Sequence, residues 1–282
     1  MKIAIASGKG GTGKTTLATA LAQALPVPVQ LLDCDVEEPN AHIFLNPQLS
    51  ERDEVTVTVP ALDGERCSHC GRCGEICRFN AIVCLSDQTM IFPQMCHSCG
   101  GCLLVCTEHA LHEHEKVVGH IDSGCSGTIA FTAGTLAIGE AMSPPVIRAV
   151  KQRITADTVN IIDCPPGTSC PMITAVDGCD FAVLVTEPTP FGLHDLKLAV
   201  ATLRQLSLPF GVVVNRAGSG DERVENYCRG EKVPLLLQIA DSREVAVAYS
   251  RGEGILTALP QLKEQLRSMV DEIKQLLNGD TQ

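Results

Sequence analysis

The sequence has no tryptophan and few aromatic residues of any kind: seven phenylalanines and two tyrosines in 282 positions. So few rings leave little platform for stacking bases, which argues against binding of single-stranded nucleic acid. Positive charge is also scarce, because 22 lysines and arginines stand against 33 aspartates and glutamates, a net charge of −11. Nucleic acid and anionic lipid are bound non-specifically through basic surfaces. The charge balance therefore argues against both as partners.

Long apolar runs are absent as well. The chain has no stretch of about 18 consecutive apolar residues, the length that a membrane-spanning helix needs. Its first apolar stretch, residues 1–7, is too short for a secretory signal and leads directly into a glycine-rich segment. With 45% hydrophobic and 20% charged residues, the composition is that of a folded globular protein. We therefore expect a cytoplasmic protein whose length allows about two domains.

Cysteine, by contrast, is abundant, with fifteen in the chain. In a secreted protein this number would indicate disulfides, but the reducing cytoplasm disfavours them. Metal binding is the better interpretation. Nine of the fifteen cysteines lie between residues 61 and 118, so the metal chemistry is expected in that segment.

The remainder of the chain alternates short apolar runs with helical periodicity, a pattern typical of a mostly parallel sheet flanked by helices. Short β-branched runs predict buried strands at residues 2–6, 29–32, 159–162, 181–186 and 210–214. Residues 61–118 lack this alternation. The sequence therefore predicts one α/β domain, formed by residues 1–60 and 119–282, into which a second domain of residues 61–118 is inserted.

The inserted segment contains an internal repeat of 29 residues. Each half reads Cys-x2-Cys-x2-Cys-x3-Cys. This is the spacing of bacterial two-cluster ferredoxins, in which the fourth cysteine of each run ligates the other cluster. We therefore assign one [4Fe-4S] cluster to Cys67, Cys70, Cys73 and Cys106, and a second to Cys96, Cys99, Cys102 and Cys77.

Zinc is the alternative metal, because paired Cys-x2-Cys segments also bind tetrahedral zinc. Two complete four-cysteine runs fit zinc poorly. The proline that usually follows the fourth cysteine is replaced by Arg78 and Thr107. Neither replacement removes a ligand, although a cation beside a cluster raises its reduction potential. The segment is thus predicted to be a bacterial-ferredoxin-like α+β domain with two clusters.

A glycine-rich loop follows the first predicted strand. Residues 8–16 satisfy the pattern G-x-x-x-x-G-K-[ST], and an apolar helix is predicted over residues 17–25. The loop is expected to bind the phosphates of a nucleotide through Gly8, Gly10, Gly11, Thr12, Gly13, Lys14, Thr15 and Thr16. Within it, Lys14 is expected to reach the β- and γ-phosphates and Thr15 to hold Mg²⁺.

An early lysine, Lys9, narrows this prediction. The pattern K-G-G-x-G-K-[ST] resembles the deviant Walker A motif of the MinD/ParA superfamily, which also includes the nitrogenase iron protein and the arsenical-pump ATPases. The resemblance extends to Asp-Cys-Asp at 33–35, Asp-Cys-Pro-Pro-Gly at 163–167 and Asn-Arg at 215–216. With the cysteine repeat included, nearly the whole chain resembles MinD-type P-loop ATPases that contain an inserted ferredoxin domain.

The resemblance implies roles for five residues. Lys9 would cross a nucleotide-sandwiched dimer to the phosphates of the partner subunit. Asp35 would orient or activate the attacking water in switch I, and Asp163 would hold Mg²⁺ through water in switch II. The amide of Gly167 would sense the γ-phosphate, and Asn215 would contact adenine.

Seven cysteines lie outside the two four-cysteine runs, and four of them stand in contexts that suggest a role. Cys125, in Gly-Cys-Ser-Gly, and Cys170, seven residues after Asp163, resemble the two cysteines by which each subunit of the nitrogenase iron protein holds a cluster on the dimer axis. This implies an additional bridging cluster; the alternative is that Cys170 is a buried loop residue. Cys34 and Cys84 belong to apolar runs, which predicts that they are small core residues.

An amphipathic helix is predicted at the C-terminal end, finishing at residues 278–279. Its apolar residues at helical spacing are Leu259, Leu262, Leu266, Met269, Ile273 and Leu276. Because basic and acidic residues balance on its polar face, the pattern favours packing on the ATPase domain over binding to membrane.

These features favour an ATPase that works as a dimer, either with itself or with a paralogue. It would couple ATP hydrolysis to electron transfer to, or metal-cluster assembly on, a redox or metallocluster protein partner. A second hypothesis is an iron–sulfur carrier or scaffold whose clusters are released under the timing of ATP. A third, a ParA-like spatial organiser, needs a basic DNA-binding face. Interlocked cysteine runs retain clusters, which favours electron transfer.

Overall fold

The computed structural model describes residues 1–279. In this range the strands are β1 (Lys2–Ala6), β2 (Val29–Asp33), β3 (Gln48–Leu62), β4 (Ile82–Cys84), β5 (Thr89–Ile91), β6 (Leu111–Ser126), β7 (Ile129–Leu136), β8 (Val159–Asp163), β9 (Phe181–Thr186), β10 (Phe210–Ala217) and β11 (Leu235–Ala240). The helices are α1 (Lys14–Ala24), α2 (Ala41–Leu45), α3 (Arg72–Ile76), α4 (Gly101–Leu104), α5 (Pro144–Lys151), α6 (Cys170–Val176), α7 (Pro190–Gln205), α8 (Arg223–Gly230), α9 (Arg243–Ser250), α10 (Ile255–Ala258) and α11 (Leu262–Asn278).

The main sheet has the strand order β11-β10-β9-β1-β8-β2-β7-β6-β3. Neighbouring strands from β11 to β7 are parallel, and β6 and β3 continue the sheet in antiparallel pairing. Successive residues of the central strands enter separate cores on the two faces, as Leu31 and Leu32 do. Burial on both faces explains why these strands are continuous apolar runs. The predicted α/β fold, a mostly parallel sheet flanked by helices, is confirmed.

The structure contains a strand at each of the five predicted positions. It also contains β7, which the sequence pattern does not predict. Its segment Thr-Ala-Gly-Thr is small and polar rather than β-branched throughout. A Cβ on Gly134 would lie 2.7 Å from Val150 Cγ2 and 2.8 Å from Val36 Cγ1. Glycine is therefore required here because α5 packs closely on the sheet, and the same requirement weakens the strand pattern.

Strands β3 and β6 form a long antiparallel arm. Their pairing runs from Gln48 opposite Cys125 to Leu62 opposite Leu111. The C-terminal part of β6 also pairs with β7. At its far end the arm carries residues 63–110, the cysteine module, closed by a hydrogen bond of 2.7 Å from Asp63 N to Ala110 O. The predicted boundaries at 61 and 118 thus fall within paired strands, whose exposed, polar side chains hide the strand pattern.

The C-terminal helix α11 packs on the main α/β domain. Its buried residues are Leu262, Leu266, Met269, Val270 and Ile273. They belong to the core that also holds α1, and Arg267 Nε donates to Ala24 O at 2.8 Å. Among the helices of residues 1–279, none combines the length and the apolar character needed to cross a membrane.

Candidate nucleotide site and cysteine module

The glycine-rich loop joins β1 to α1 at the carboxyl edge of the parallel strands. Gly13 has a φ of +95°, and a Cβ there would lie 2.4 Å from Asn215 Nδ2, so only glycine fits. Lys14 opens α1 and is only 5% exposed. The loop therefore presents backbone N–H groups, a helix N-terminus and a buried cation at one edge, an arrangement that suits phosphate.

Two carboxyl groups lie beside this loop. Asp163, at the end of β8, is fully buried, and neither oxygen has a hydrogen-bond partner among the described residues. Burial raises its pKa to about 7, against the attraction of Lys14. Burial likewise raises the pKa of Asp35 to about 6, against the attraction of Lys14. A buried, unpartnered carboxylate beside a hydroxyl fits a hydrated divalent cation.

A third acid, Asp33, has a positioning role. Its carboxylate accepts hydrogen bonds from the N–H groups of Asp35 at 3.2 Å, Asn40 at 3.1 Å and Ala41 at 3.0 Å. The loop that follows β2 is therefore folded around this buried side chain. Asp33 fixes the backbone from which Asp35 projects.

Gly167 and Asn215 contact the loop itself in this structure. The Gly167 N–H donates to Ser7 O at 3.0 Å, and Asn215 Nδ2 donates to Thr12 O at 2.9 Å. The roles implied for them, sensing the γ-phosphate and contacting adenine, stay predictions. For Gly167 that role requires exchange of its present hydrogen bond for one to phosphate.

Lys9 is held by an acid that sequence reasoning did not single out as functional. Its Nζ lies 3.3 Å from Glu187 Oε2, and Arg216 Nη1 lies 2.9 Å from Glu187 Oε1. The Glu187 side chain is 12% exposed, so this ion pair is partly shielded from water. The pairing joins residues distant in sequence, and only the fold brings them together.

The cysteine module encloses two cavities. The larger, of about 320 Å³, is lined by Cys77, Cys96, Cys99 and Cys102. The smaller, of about 20 Å³, is lined by Cys67, Cys70, Cys73 and Cys106. Each set of four cysteines assigned from the spacing thus surrounds one cavity, with the fourth member contributed by the other half of the repeat. The cysteines do not converge on single points: among the described residues, no three His, Cys, Asp or Glu side chains are grouped to hold one metal ion.

The 29-residue repeat is also a repeat of backbone conformation. Left-handed residues recur at this interval in the pairs His69 and Ser98, Gly71 and Gly100, and Asn80 and His109. The N–H groups of Ala81 and Ala110 donate to the sulfurs of Cys77 and Cys106, each at 3.3 Å. The two halves therefore present their fourth cysteines in the same way.

One cation contacts a cysteine sulfur of the module, and it is not the one that the sequence suggested. Arg72 Nε donates to Cys70 Sγ at 3.4 Å, and the same guanidinium donates to the hydroxyl of Thr107. Arg78 is exposed. Thr107, in the place of the usual proline, thus holds Arg72 against the first set of cysteines.

The structure does not bring Cys125 and Cys170 together. Asp33 and Asp163 are in register at the carboxyl edge of the sheet, and Cys170 follows Asp163. Cys125 pairs with Ala130, at the opposite, amino-terminal end of the same parallel strands. A bridging cluster that uses both cysteines on one dimer axis does not fit this arrangement. Cys170 is also exposed, so the alternative of a buried loop residue is wrong.

The other two assessed cysteines differ from each other. Cys34 is fully buried, as predicted for a core residue. Cys84 is only partly buried, and its Sγ lies 3.5 Å from Cys73 Sγ, inside the module. The expectation that Cys84 is a core residue is therefore wrong, because the β4–β5 hairpin turns it toward the first set of cysteines.

The main domain matches a known protein family. Residues 3–255 match the CobQ/CobB/MinD/ParA nucleotide binding domain. The chain belongs to this family. Within the MinD/ParA-type fold, the septum site-determining protein MinD of Pyrococcus horikoshii, solved with Mg-ADP, superposes with a TM-score of 0.56 at 21% identity, covering 98% of each chain.

Sequence relatives include two uncharacterised proteins of Methanocaldococcus jannaschii. One is 33% identical over 77% of this chain and 79% of its own length, and the other is 28% identical over 97% and 96%. The similarity to an iron-sulfur cluster carrier protein of Aquifex aeolicus is partial, at 30% identity over 36% of this chain and 32% of the carrier.

In this MinD/ParA-family site, Asp163 is expected to destabilise the nucleotide-free protein. Its pKa in the fold, about 7, lies above the ordinary value of about 3.9. The unfolded chain therefore releases the proton first, and the free energy of unfolding falls as pH rises from about 4 to about 7. Asp163→Asn removes the charge but keeps the shape. We expect it to raise the melting temperature at pH 8 and to match wild type at pH 4.

Thermal unfolding across this pH range, without and with Mg-ATP, measures the effect. The exposed Asp87→Asn serves as the control and is expected to leave the pH profile unchanged. Mg-ATP is expected to stabilise wild type more than Asp163→Asn. An equal or lower melting temperature for Asp163→Asn at pH 8 would show that the buried charge is compensated in the fold.

Proposed function

We propose that this protein is an ATP-hydrolysing iron–sulfur protein, in which nucleotide-driven dimer switching controls electron transfer to, or metal-cluster assembly on, a protein partner. The observation that carries the proposal is the pair of cavities, each lined by one set of four cysteines, on a chain with a P-loop.

ATP and Mg²⁺ fit the first site. The loop N–H groups and the N-terminus of α1 bind the phosphates, and Lys14 compensates their charge from a buried position. Thr15 and Asp163 would hold Mg²⁺. Asp35, with a pKa of about 6, is ionised at neutral pH and orients the attacking water.

The two sets of four cysteines would hold two [4Fe-4S] clusters. In such a cluster each thiolate binds a different iron, so four cysteines surround a volume rather than a point. This matches cysteines that line cavities and disfavours a single tetrahedral zinc ion. A bound cluster supplies one-electron transfer. The N–H groups of Ala81 and Ala110 donate to the sulfurs of Cys77 and Cys106 and would thereby tune the potential of a bound cluster.

A groove of about 830 Å³ supports coupling between the two sites. On the ATPase side it is lined by Glu37, two residues after Asp35, and by Cys170, at the start of the helix that follows Asp163. On the module side it is lined by Cys96 and His97. Both segments that respond to the γ-phosphate thus face a cluster ligand across one groove. A change in either segment alters the surface that a partner meets beside the second set of cysteines.

The alternative is a carrier whose clusters are handed on. The partial similarity to the Aquifex aeolicus carrier favours it. The interlocked arrangement favours electron transfer instead, because release of one cluster requires both halves of the repeat to open. Transfer of iron to an apo-acceptor, measured beside electron transfer to the same acceptor, separates the two.

The metal content tests the proposal directly. Protein isolated without oxygen is expected to contain about eight irons and eight acid-labile sulfides per chain. Cys106→Ser is expected to lower both counts to about four, with loss of the cluster whose other ligands lie in the first half of the repeat. Cys125→Ser, outside the module, is the control and should keep eight. Stoichiometric zinc without sulfide would overturn the proposal.

A further inference from the structure

The module contains a ninth cysteine that neither set of ligands uses. Cys84, the last residue of β4, places its Sγ 3.5 Å from the Sγ of Cys73, one of the assigned ligands of the first cluster. A disulfide has an S–S bond of about 2.05 Å, so closure needs a movement of about 1.5 Å. Both residues are partly exposed, so small oxidants reach them.

This contact exists because the two halves of the repeat differ at two touching positions. A Cβ on Gly74 would lie 3.2 Å from Cys84 Sγ, so glycine makes room for the thiol. In the second half, 29 residues later, Leu103 stands in the place of Gly74 and Glu113 in the place of Cys84. The thiol and the space for it therefore occur together in the first half and are both missing from the second.

We propose that Cys73 and Cys84 form a reversible disulfide in the cluster-free module, and that this disulfide blocks assembly of the first cluster only. The oxidant is a low-molecular-weight disulfide such as oxidised glutathione. One thiolate attacks it and releases one glutathione thiol, and the second cysteine then displaces the other. In total, two cysteine thiols lose two electrons and two protons, and one glutathione disulfide becomes two thiols.

The consequence for iron rests on the proposed function. A sulfur engaged in a disulfide is not a thiolate and cannot ligate iron. The second set, with Glu113 in the equivalent place, has no comparable thiol and keeps its capacity. Oxidation would thus convert a two-cluster protein into a one-cluster protein without affecting the nucleotide site.

The test begins with full-length protein stripped of iron and treated with oxidised glutathione. Peptide mapping under non-reducing conditions is expected to recover Cys73 linked to Cys84 in wild type. Subsequent reconstitution with ferrous iron and sulfide should then yield about four irons per chain instead of eight. Cys84→Ser should yield about eight with or without oxidant. Cys125→Ser, an exposed cysteine outside the module, should behave as wild type.

The two proposals fail in different ways. A free Cys84 after oxidation, Cys73 linked equally to several cysteines, or the same loss of iron in wild type and Cys84→Ser would each overturn the disulfide switch. If reduced wild type takes up no iron at all, the proposed clusters fail, while the peptide map still decides whether the disulfide forms. Restoration of full iron uptake by dithiothreitol would support reversibility, and a permanent loss would contradict it.

Discussion

Lys14→Ala is expected to weaken ATP binding by about 100-fold or more, whereas Asp35→Ala is expected to bind ATP normally and hydrolyse it slowly. Lys14 is almost fully buried, so its removal leaves phosphate charge without its nearest compensation. Truncating one partner of such a pair costs roughly 2 to 5 kcal/mol, and each 1.4 kcal/mol is about tenfold in affinity. A residue that positions or activates water contributes about 100-fold or more to the rate.

Calorimetric titration with ATP and measurement of phosphate release separate the two effects. Lys263→Ala, an exposed position on α11, is the matched control for loss of a lysine and should change neither quantity. If Asp35→Ala loses ATP binding as fully as Lys14→Ala does, Asp35 has a structural role. Because Asp33 already folds this loop through three backbone N–H groups, the loop should survive the loss of Asp35.

The sequence predicts local structure correctly where the chemistry and the backbone conformation depend on neighbouring residues. The strand, glycine-rich loop and helix around Lys14 follow one another directly in the chain, and the structure has them in that order. The 29-residue repeat of cysteines corresponds to a repeat of backbone conformation, including the left-handed Gly71 and Gly100. In both cases spacing along the chain determines geometry.

Contacts between distant segments could not be predicted from spacing along the chain. The arm of β3 and β6 has few buried side chains, so its sequence shows no apolar alternation. Its register depends on the pairing of the two strands and is not encoded in either strand alone. The partner of Lys9 is Glu187, which is 178 positions away. Cys84 resembled a core residue because its neighbours in β4 are apolar, and only the hairpin shows which sulfur it meets. Long-range pairing, rather than residue type, decided these points.

The ion pair between Lys9 and Glu187 predicts a second large effect, on nucleotide-driven dimerisation. In the structure Lys9 and Arg216 both contact Glu187, so Lys9 must leave this acid before it can reach the phosphates of another subunit. A slowly hydrolysed ATP analogue is expected to drive wild type to a dimer and to leave Lys9→Ala monomeric. Glu187→Gln, which removes the negative charge but keeps the size, is expected to dimerise at lower analogue concentration. Light scattering and sedimentation across an analogue titration measure both shifts.

The control for these variants is Arg204→Ala, which removes a different exposed ion pair, with Glu231. It should dimerise as wild type does. Binding of the analogue to monomeric Lys9→Ala must stay within a few-fold of wild type, because Lys9 is proposed to serve the partner's nucleotide. Dimerisation of Lys9→Ala at wild-type concentrations would contradict that role, and a higher threshold for Glu187→Gln would contradict the restraint by Glu187.

The same analogue titration also tests whether bound nucleotide changes the reduction potential or the electron-transfer rate of the clusters. A ligand shifts an equilibrium only if it binds the two states with different affinity, and the γ-phosphate is the group that distinguishes ATP from ADP. Glu37, two residues after Asp35, and Cys170, seven residues after Asp163, line the groove that also contains Cys96. Closure of the segments that carry Glu37 and Cys170 is therefore expected to change the reduction potential of the second cluster, or the rate at which it reduces a partner, more with the analogue than with ADP. Lys9→Ala, which is expected to bind nucleotide without dimerising, separates the effect of the γ-phosphate alone from that of the dimer. Equal potentials and rates in wild type with either nucleotide would refute the coupling, because the γ-phosphate would then act on the ATPase domain without reaching the module.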